Sequence, residues 1–353
     1  MPLTEICKKA KVAVTAVYKN KYQKSKHNTD KFKKILRRKD KLMNYNHIEF
    51  SLPSTDGKNM LHAEIYEPTD REIKGVVQLA HGMVDHIGRY KELADYLTGE
   101  GFVFAGNDHL GHGRTVSSKE DFGFFASKDG YKLVIDDLYA MNGELRKRYE
   151  GKPIILMGHS MGSFLARLYA VKYPKSIDGI IIHGTGGKNP ALPFGKIVVK
   201  LLRLIKGERY RSSLVKKLSF MGYNSRFDKS EGENAWLTRA GELVADRDGD
   251  ERTNFIFTLA GYNDLFTMLG ECNGSQWYSQ YPKNLPTILI AGTDDPVGNF
   301  GEGVREVYDG LSKAGVISLD IDMYEGARHE LFNETNRAEV FRNMCDWLLG
   351  VCG

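Results

Sequence analysis

Short apolar runs alternate with amphipathic stretches from about His47 to the end of the chain. The first two runs, His47–Leu52 and Met60–Tyr66, are typical of paired strands, because Ser54-Thr55-Asp56-Gly57 between them has the composition of a turn. The predicted strands are His47–Leu52, Met60–Tyr66, Gly75–Ala80, Phe102–Gly106, Ile154–Met157, Gly179–His183, Pro286–Ala291 and Ser318–Tyr324. The predicted helices are Arg89–Thr98, Gly130–Tyr149, Val304–Ala314 and Glu334–Leu349. This alternation predicts an α/β fold in which helices cover both faces of a mostly parallel sheet.

The alternation stops between Gly184 and about Tyr281. This stretch is far longer than a connecting loop, and helical patterns fill most of it. We therefore predict a helical cap at residues 185–281, inserted between two parts of the core at residues 44–184 and 282–353.

Charge sets the N-terminal stretch apart from the rest of the chain. Residues 1–43 hold fourteen Lys or Arg against three Asp or Glu, whereas the chain as a whole has a formal charge of +5. Two interpretations stay open for this basic extension: an amphipathic anchor on an anionic membrane, or a solvated or body-packed helical segment. Nucleic acid is not an expected partner, because aromatic residues are not interleaved with the basic ones.

Composition narrows the class of protein further. Hydrophobic residues make up 41% of the chain and charged residues 27%, as in a globular protein. The sequence contains neither an apolar run long enough to span a membrane nor a secretory signal. The four scattered cysteines, Cys7, Cys272, Cys345 and Cys352, favour reduced thiols. We expect a cytoplasmic protein, with peripheral membrane attachment as the alternative.

The stretch Ile154–Ser163 reads IILMGHSMGS and is followed by a helical pattern. A serine between two glycines on a strand-to-helix turn holds its hydroxyl clear of the backbone, and the helix directs its positive end at a neighbouring oxyanion. The pattern is short enough to arise by chance, so its context has to support it. The prediction is that Ser160 is a nucleophile.

A serine hydroxyl needs a base, and the base needs a carboxylate. In a sheet of this kind the order is serine, acid, histidine. Only His183 and His329 follow the serine, and His183 comes before any suitable acid, so His329 is the expected base. The acid is expected after Pro286–Ala291. We select Asp295, because a proline follows it and fixes the turn, and Asp294 remains the rival.

The oxyanion needs two backbone N–H groups. Met161, directly after the serine, and Met83, in the loop after Gly75–Ala80, are the expected donors. Asp108, His109 and His112 raise the alternative of a metal site, but their tight loop has no downstream ligand cluster. We favour a hydrogen-bonded scaffold and expect no metal and no cofactor.

Several motifs together resemble the monoacylglycerol lipase and lysophospholipase group of α/β-hydrolases. They are His81-Gly82-Met83-Val84-Asp85-His86, Arg89-Tyr90, Leu93-Ala94, Asp108-His109-Leu110-Gly111-His112-Gly113, Gly158-His159-Ser160-Met161-Gly162 and Tyr324-Glu325-Gly326-Ala327-Arg328-His329-Glu330. The resemblance implies an α/β-hydrolase fold with a doubly wound sheet and a helical cap. It also implies Ser160, Asp295 and His329 as the catalytic set and Met83 and Met161 as oxyanion donors. The match runs from about His47 to the C-terminus, so residues 1–43 fall outside it. Met83-Val84-Asp85 departs from the small residues and glutamate that are usual there, and the cap does not match a monoacylglycerol-specific form.

Within the cap, Phe194–Gly207 has apolar residues on one side and basic residues towards the other. Two interpretations stay open: a helix that packs on the sheet and lines an acyl pocket, or an interfacial helix that contacts lipid.

The expected function is a serine carboxylester hydrolase that cleaves acyl esters of lipids, of the lysophospholipid or monoacylglycerol type. A peptidase or thioesterase on the same scaffold is the first alternative. A membrane-binding or partner-binding protein with a vestigial triad is the second. The expected partner is an acyl-ester substrate, and contact with an anionic membrane through residues 1–43 and the cap stays open.

Overall fold

The computed structural model describes residues 44–353, so the predictions for residues 1–43 lie outside the described residues. Eight strands form one sheet in the order β1-β2-β4-β3-β5-β6-β7-β8. They are β1 Tyr45–Pro53, β2 Met60–Pro68, β3 Gly75–Ala80, β4 Phe102–Asn107, β5 Ile154–His159, β6 Gly179–His183, β7 Thr287–Gly292 and β8 Leu319–Tyr324. Pairing is antiparallel from β1 through β2 to β4 and parallel between all later neighbours. The predicted mostly parallel sheet is confirmed.

The central strands are mostly apolar because both of their faces are buried. Every residue of β3 to β7 is buried, and successive side chains enter two separate cores. In β3, for example, Val76 faces one core and Val77 the other. The buried runs in the sequence therefore mark the middle of the sheet.

Helices cover both faces of the sheet. Helices α1 (Lys91–Gly99) and α10 (Arg337–Cys352) bury apolar residues in one core. Helices α2 (Gly130–Arg148), α3 (Met161–Lys172) and α9 (Glu302–Lys313) do so in the other. This is the two-sided arrangement that the alternating pattern predicts.

Five helices fill the segment that we predict as the cap. They are α4 Leu192–Lys206, α5 Ser213–Ser219, α6 Gly241–Gly249, α7 Leu259–Cys272 and α8 Ser275–Gln280. Helix α7 contacts α2 and α3 of the core as well as α4. At α8, the Trp277 indole donates to the carbonyl of Arg167 in α3 at 2.8 Å. The last part of the segment is therefore joined to the core, and the cap boundary at residue 281 stays a prediction.

Helix α4 exposes most of its apolar side chains. Val199 is its one fully buried residue, and the helix packs against α7. Five apolar residues of this helix are between 55% and 78% exposed, namely Phe194, Ile197, Leu201, Leu204 and Ile205. Within residues 44–353, no helix has both the length and the hydrophobicity that crossing a bilayer requires.

Candidate active site

Four loops meet at the edge of the sheet where the parallel strands end. The β3 loop (residues 81–86) and the serine turn (residues 158–162) follow β3 and β5. The aspartate loop (residues 292–298) and the histidine loop (residues 325–330) follow β7 and β8. Open α/β sheets bind their ligands at this edge, because the loops of neighbouring parallel strands converge there.

The serine turn holds its serine in a strained backbone conformation. Ser160 has φ 55° and ψ −120°, a backbone region that residues other than glycine seldom adopt. Its N–H donates to the carbonyl of His183 at 2.9 Å, and α3 begins at the next residue. A Cβ at Gly162 would lie 1.9 Å from the carbonyl oxygen of Ala80, so this position has no room for a side chain. The turn therefore presents the Ser160 hydroxyl beside the positive end of α3.

Asp295 and His329 form a buried pair. The Asp295 carboxylate Oδ2 lies 2.9 Å from His329 Nδ1, and the two residues are 0% and 2% exposed. Oδ1 accepts the N–H of Val297 at 2.9 Å, which fixes the carboxylate in its loop. With Nδ1–H donating to Asp295, Nε2 of His329 is free to accept a proton. The carboxylate that faces this histidine belongs to Asp295 rather than to the rival Asp294.

Ser160 and His329 line one cavity, and a stack of histidine rings joins their loops. His159, directly before the serine, has its ring centroid 5.1 Å from that of His329 and 4.3 Å from that of His183. Burial lowers the pKa values of His159 and His183, so both rings are neutral at pH 7. Neutral stacked rings pack beside the pair without repelling a positive charge that forms on His329.

The β3 loop lies against the serine. A Cβ at Gly82 would be 3.3 Å from Cβ of Ser160, and Met83 and Met161 both line the same cavity. Val84 has φ 53°, an outlier for a β-branched residue, and its N–H donates to Nε2 of His112 at 3.3 Å. The two predicted oxyanion donors therefore flank Ser160, with one loop held in a strained shape.

The histidines of the 108–113 loop act as hydrogen-bond partners of the backbone. His81 Nε2 accepts the N–H of His109 at 3.0 Å, and His112 Nδ1 donates to the carbonyl of Leu110 at 3.0 Å. Burial lowers the pKa of His81 to about 4 and that of His112 to about 3. Asp108 accepts the N–H of Ile87 through Oδ1 at 2.9 Å. Asp108, His109 and His112 are thus part of a hydrogen-bonded scaffold of the kind that the sequence predicts.

The cap makes three contacts with the histidine loop that the sequence does not indicate. The Trp236 ring lies on His329, with centroids 5.1 Å apart and planes at 40°. The neighbouring Arg328 donates to the Glu231 carboxylate at 2.7 Å and to the carbonyl of Ala235 at 2.7 Å. Each contact joins positions about a hundred residues apart, and no local pattern marks either partner. The cap therefore forms one wall of the site directly over the histidine.

The cavity that contains Ser160 and His329 has a volume of about 660 Å³, which is ample for a lipid-sized ligand. Its apolar wall comes mainly from the cap and includes Phe194, Val198, Leu218, Phe220, Leu265 and Phe266. The polar wall includes Lys188, Asn189, Asn299, Glu302 and Glu306, from the start of the cap, the aspartate loop side and α9. The lining can thus contact both an apolar chain and a polar group of one ligand.

Comparisons with known proteins agree with this architecture. The monoglyceride lipase homolog of Monkeypox virus is 26% identical over 281 residues, covering 78% of this chain and 89% of that protein. The monoacylglycerol lipase of Mycolicibacterium smegmatis is 24% identical over 310 residues, covering 85% and 96%. The crystal structure of a highly thermostable carboxyl esterase from Bacillus coagulans, in complex with glycerol, has a TM-score of 0.80 and 30% identity, covering 87% and 99%.

A family match accounts for most of the chain. Residues 71–336 match the Hydrolase_4 family, described as serine aminopeptidase, S33. The resemblance to the monoacylglycerol lipase group and the α/β-hydrolase fold that it implies are therefore confirmed. The chain belongs to this family of α/β-hydrolases.

Proposed function

We propose that this protein is a serine carboxylester hydrolase that cleaves acyl esters of lipids, of the monoacylglycerol or lysophospholipid type. The observation that carries the proposal is the single cavity that brings Ser160 and the Asp295–His329 pair beside a long apolar wall. Relatives named as a monoglyceride lipase homolog and a monoacylglycerol lipase match most of the chain and support an acylglycerol as the substrate.

In the proposed mechanism, Ser160 Oγ attacks the ester carbonyl while His329 Nε2 takes the hydroxyl proton. Asp295 holds the imidazole in the required tautomer and stabilises the imidazolium. The negative charge that develops on the carbonyl oxygen lies beside the N–H groups of Met83 and Met161 and the N-terminus of α3. Breakdown of this intermediate transfers the proton from His329 to the leaving alcohol, and Ser160 keeps the acyl group as an ester.

Water completes the cycle. His329 takes a proton from a water molecule as its oxygen attacks the acyl-enzyme carbonyl, and the same two N–H groups hold the second oxyanion. Collapse of that intermediate returns the proton to Ser160 Oγ and releases the fatty acid. The proposed chemistry uses side chains and backbone amides alone.

Lipid esters are favoured over peptides by the state of the acidic side chains in the cavity. A pocket for a free α-amino group needs a carboxylate that is available to pair with it. Asp85 and Glu330 are both bound to Arg89, at 2.9 Å and 2.8 Å. Glu306 accepts the N–H of Lys188 at 3.0 Å, and Glu302 accepts from the Asn299 amide at 2.7 Å. The ion pairs of Asp85 and Glu330 with Arg89, together with the apolar wall, support an acyl chain as the bound group.

The test of the proposed substrate is a panel of matched esters, thioesters and amides. We expect monoacylglycerols and lysophospholipids with long chains to be hydrolysed with higher kcat/KM than short esters, because each buried methylene adds binding energy of about 0.8 kcal/mol. Amino-acid amides and acyl thioesters of the same chain length serve as the comparison. A kcat/KM for an amide above that for every ester would contradict the proposal and favour a peptidase.

We also propose that the cap contacts a lipid surface through α4. The exposed apolar residues of this helix lie near Lys200 and Lys206, which are exposed as well. An amphipathic surface with apolar and basic groups of this kind suits an anionic bilayer. The basic extension at residues 1–43 is proposed to add electrostatic attraction, which salt would screen. Such attachment would bring the cavity to its substrate.

Replacing Leu204 and Ile205 together by serine is expected to weaken binding to anionic vesicles by about tenfold or more, because the two most exposed apolar side chains of α4 can no longer enter the bilayer. Sedimentation with vesicles of phosphatidylserine and phosphatidylcholine measures the change. Ile317→Ser is the matched control, since Ile317 is 77% exposed and lies between α9 and β8 rather than in the cap. Equal loss in both variants, or none in either, would contradict contact through α4.

A further inference from the structure

We propose that Arg89 is a positioning residue that holds the β3 loop and the histidine loop in register with the serine turn. This inference rests on the proposed function, because it assigns a role in the same reaction. It concerns a side chain behind the site rather than one that touches the substrate.

Arg89 joins two buried carboxylates from opposite ends of the chain. Its Nη1 donates to Asp85 Oδ1 at 2.9 Å and to Glu330 Oε1 at 3.1 Å, and its Nη2 donates to Glu330 Oε2 at 2.8 Å. Asp85 belongs to the β3 loop, two residues after the proposed donor Met83. Glu330 directly follows the proposed base His329. A planar guanidinium can span both carboxylates in one fixed geometry, and a lysine ammonium cannot.

The charges make the link strong and specific. Asp85 and Glu330 are 2% and 6% exposed, and burial on its own raises the pKa of each carboxyl. Burial is the largest single influence, but it is outweighed by Arg89 acting together with His159 at Asp85 and with Arg247 at Glu330. The pKa of Asp85 therefore falls well below its usual range and that of Glu330 falls to about 2. Both are therefore ionised. Without Arg89, Glu330 would keep the Asn333 amide, which donates to Oε2 at 2.7 Å, and the more distant charge of Arg247, whose Nε lies 3.9 Å from Oε1.

The residue after Arg89 extends the link to the serine turn. The Tyr90 hydroxyl donates to Asp85 Oδ2 at 2.7 Å. Its oxygen lies 2.8 Å from Nδ1 of His159, which directly precedes Ser160, and the buried neutral imidazole donates to it. Asp85 thus receives hydrogen bonds from Arg89 and Tyr90. One connected set of hydrogen bonds joins the loops that carry Met83, Ser160 and His329.

Arg89 acts from outside the reaction cavity. The lining of that cavity includes Asp85, His159 and Glu330 but not Arg89. Arg89 instead lines a small separate cavity together with Glu92 and Asn333, and its side chain is 14% exposed. A small cation can therefore reach the place of its guanidinium from solvent. Loss of this side chain is expected to misplace catalytic groups without removing substrate contacts.

The test compares Arg89→Ala, Arg89→Lys and the control Arg114→Ala. Arg114 forms an ion pair with the exposed Glu49 at 2.9 Å. For a soluble p-nitrophenyl ester we expect kcat of Arg89→Ala to fall by about 100-fold, as for small displacements of catalytic groups, with KM within about threefold. Arg89→Lys keeps the positive charge but lacks the planar guanidinium that spans both carboxylates, and its kcat is expected to fall by about tenfold. Arg114→Ala is expected to match the wild type.

Chemical rescue separates positioning from general damage. Millimolar guanidinium chloride is expected to raise kcat of Arg89→Ala by about tenfold, because the free ion can bridge Asp85 and Glu330 again. Equal concentrations of sodium chloride and urea are the comparisons. The same guanidinium is expected to leave Arg114→Ala, Ser160→Ala and the wild type unchanged.

Three results would overturn the role of Arg89: kcat of Arg89→Ala within threefold of the wild type, a loss confined to KM, or no rescue of a folded variant. If Arg89→Ala does not fold, Arg89→Lys decides, and wild-type kcat in that variant would also overturn it. A wild type that hydrolyses no ester better than Ser160→Ala is a different result, since it removes the proposed function itself.

Discussion

Ser160→Ala is expected to lower kcat for ester hydrolysis by at least about 10⁴-fold, because no other group in the proposed mechanism forms the bond to the acyl carbon. The serine turn lies against the β3 loop, and His159, directly before the serine, contacts the ring of His329. Steady-state turnover of p-nitrophenyl esters and of a long-chain monoacylglycerol measures the effect.

The matched control for this variant is Ser279→Ala. Ser279 is an exposed serine of α8 whose hydroxyl donates to the carbonyl of Gln276 at 2.9 Å. We expect this variant to keep wild-type turnover and stability. Retention of more than about a hundredth of wild-type turnover in Ser160→Ala would be incompatible with the removal of a nucleophile.

Asp295→Asn is expected to lower kcat by about 10³- to 10⁴-fold. The carboxylate accepts from His329 Nδ1, and an amide would favour the wrong tautomer and could not stabilise the imidazolium. Circular dichroism checks the fold, because Asp295 also accepts the Val297 N–H and is fully buried. Turnover of the same esters measures the loss.

Asp294→Asn is the control that the loop itself provides. Asp294 is half-buried, and its backbone N–H donates to the carbonyl of Ala327. We expect kcat within about threefold of the wild type, because its carboxylate is not the one that faces His329. The reverse order of effects would transfer the role of acid from Asp295 to Asp294.

Most of the sheet could be predicted from the sequence because its central strands are buried on both faces. β3 and β6 span the predicted residues, Gly75–Ala80 and Gly179–His183, since apolar runs end where burial ends. β1 is longer than predicted, at Tyr45–Pro53, because its pairing with β2 extends to Pro68. The length of an edge strand depends on how far its neighbouring strand pairs with it, and a local sequence pattern does not show that pairing.

Helix starts were less predictable, because long-range contacts determine them. The last helix begins at Arg337 instead of the predicted Glu334. The reason is that the Glu334 carboxylate is fully buried and accepts the N–H groups of Arg328 and Arg239. An acidic residue ahead of an apolar run resembles a helix start. Here it fastens the histidine loop to the cap.

The order of chemistry-bearing residues predicted the pairing of Asp295 with His329, since parallel strands bring their ends together. The sequence itself places Asp85 in the β3 loop and Arg89 and Tyr90 a few positions after it. It could not indicate that Glu330 is the second partner of Arg89, 241 positions away. Folding brings Asp85 and Glu330 to the same guanidinium, and no local sequence pattern indicates that contact.

The cap was the least predictable part. The periodicity of Phe194–Gly207 predicts one apolar side made of Phe194, Ile197, Val198, Leu201, Leu202 and Ile205. In the structure Val198 and Leu202 are half-buried and the other four are exposed, whereas the fully buried residue is Val199, which lies outside that side. Leu204, outside that side, is 78% exposed. A helical pattern states which residues share a face but not whether that face meets protein or lipid. For the same reason, the sequence left both interpretations of this helix open.

Covalent labelling at Ser160 tests the central claim most directly. A fluorophosphonate reacts with a serine only when that serine is activated as a nucleophile, and peptide mass spectrometry identifies the modified residue. We predict one label per chain, on Ser160, with labelling slowed by a long-chain monoacylglycerol and by Asp295→Asn. Label on any other residue, or equal labelling of the wild type and Ser160→Ala, would contradict the account.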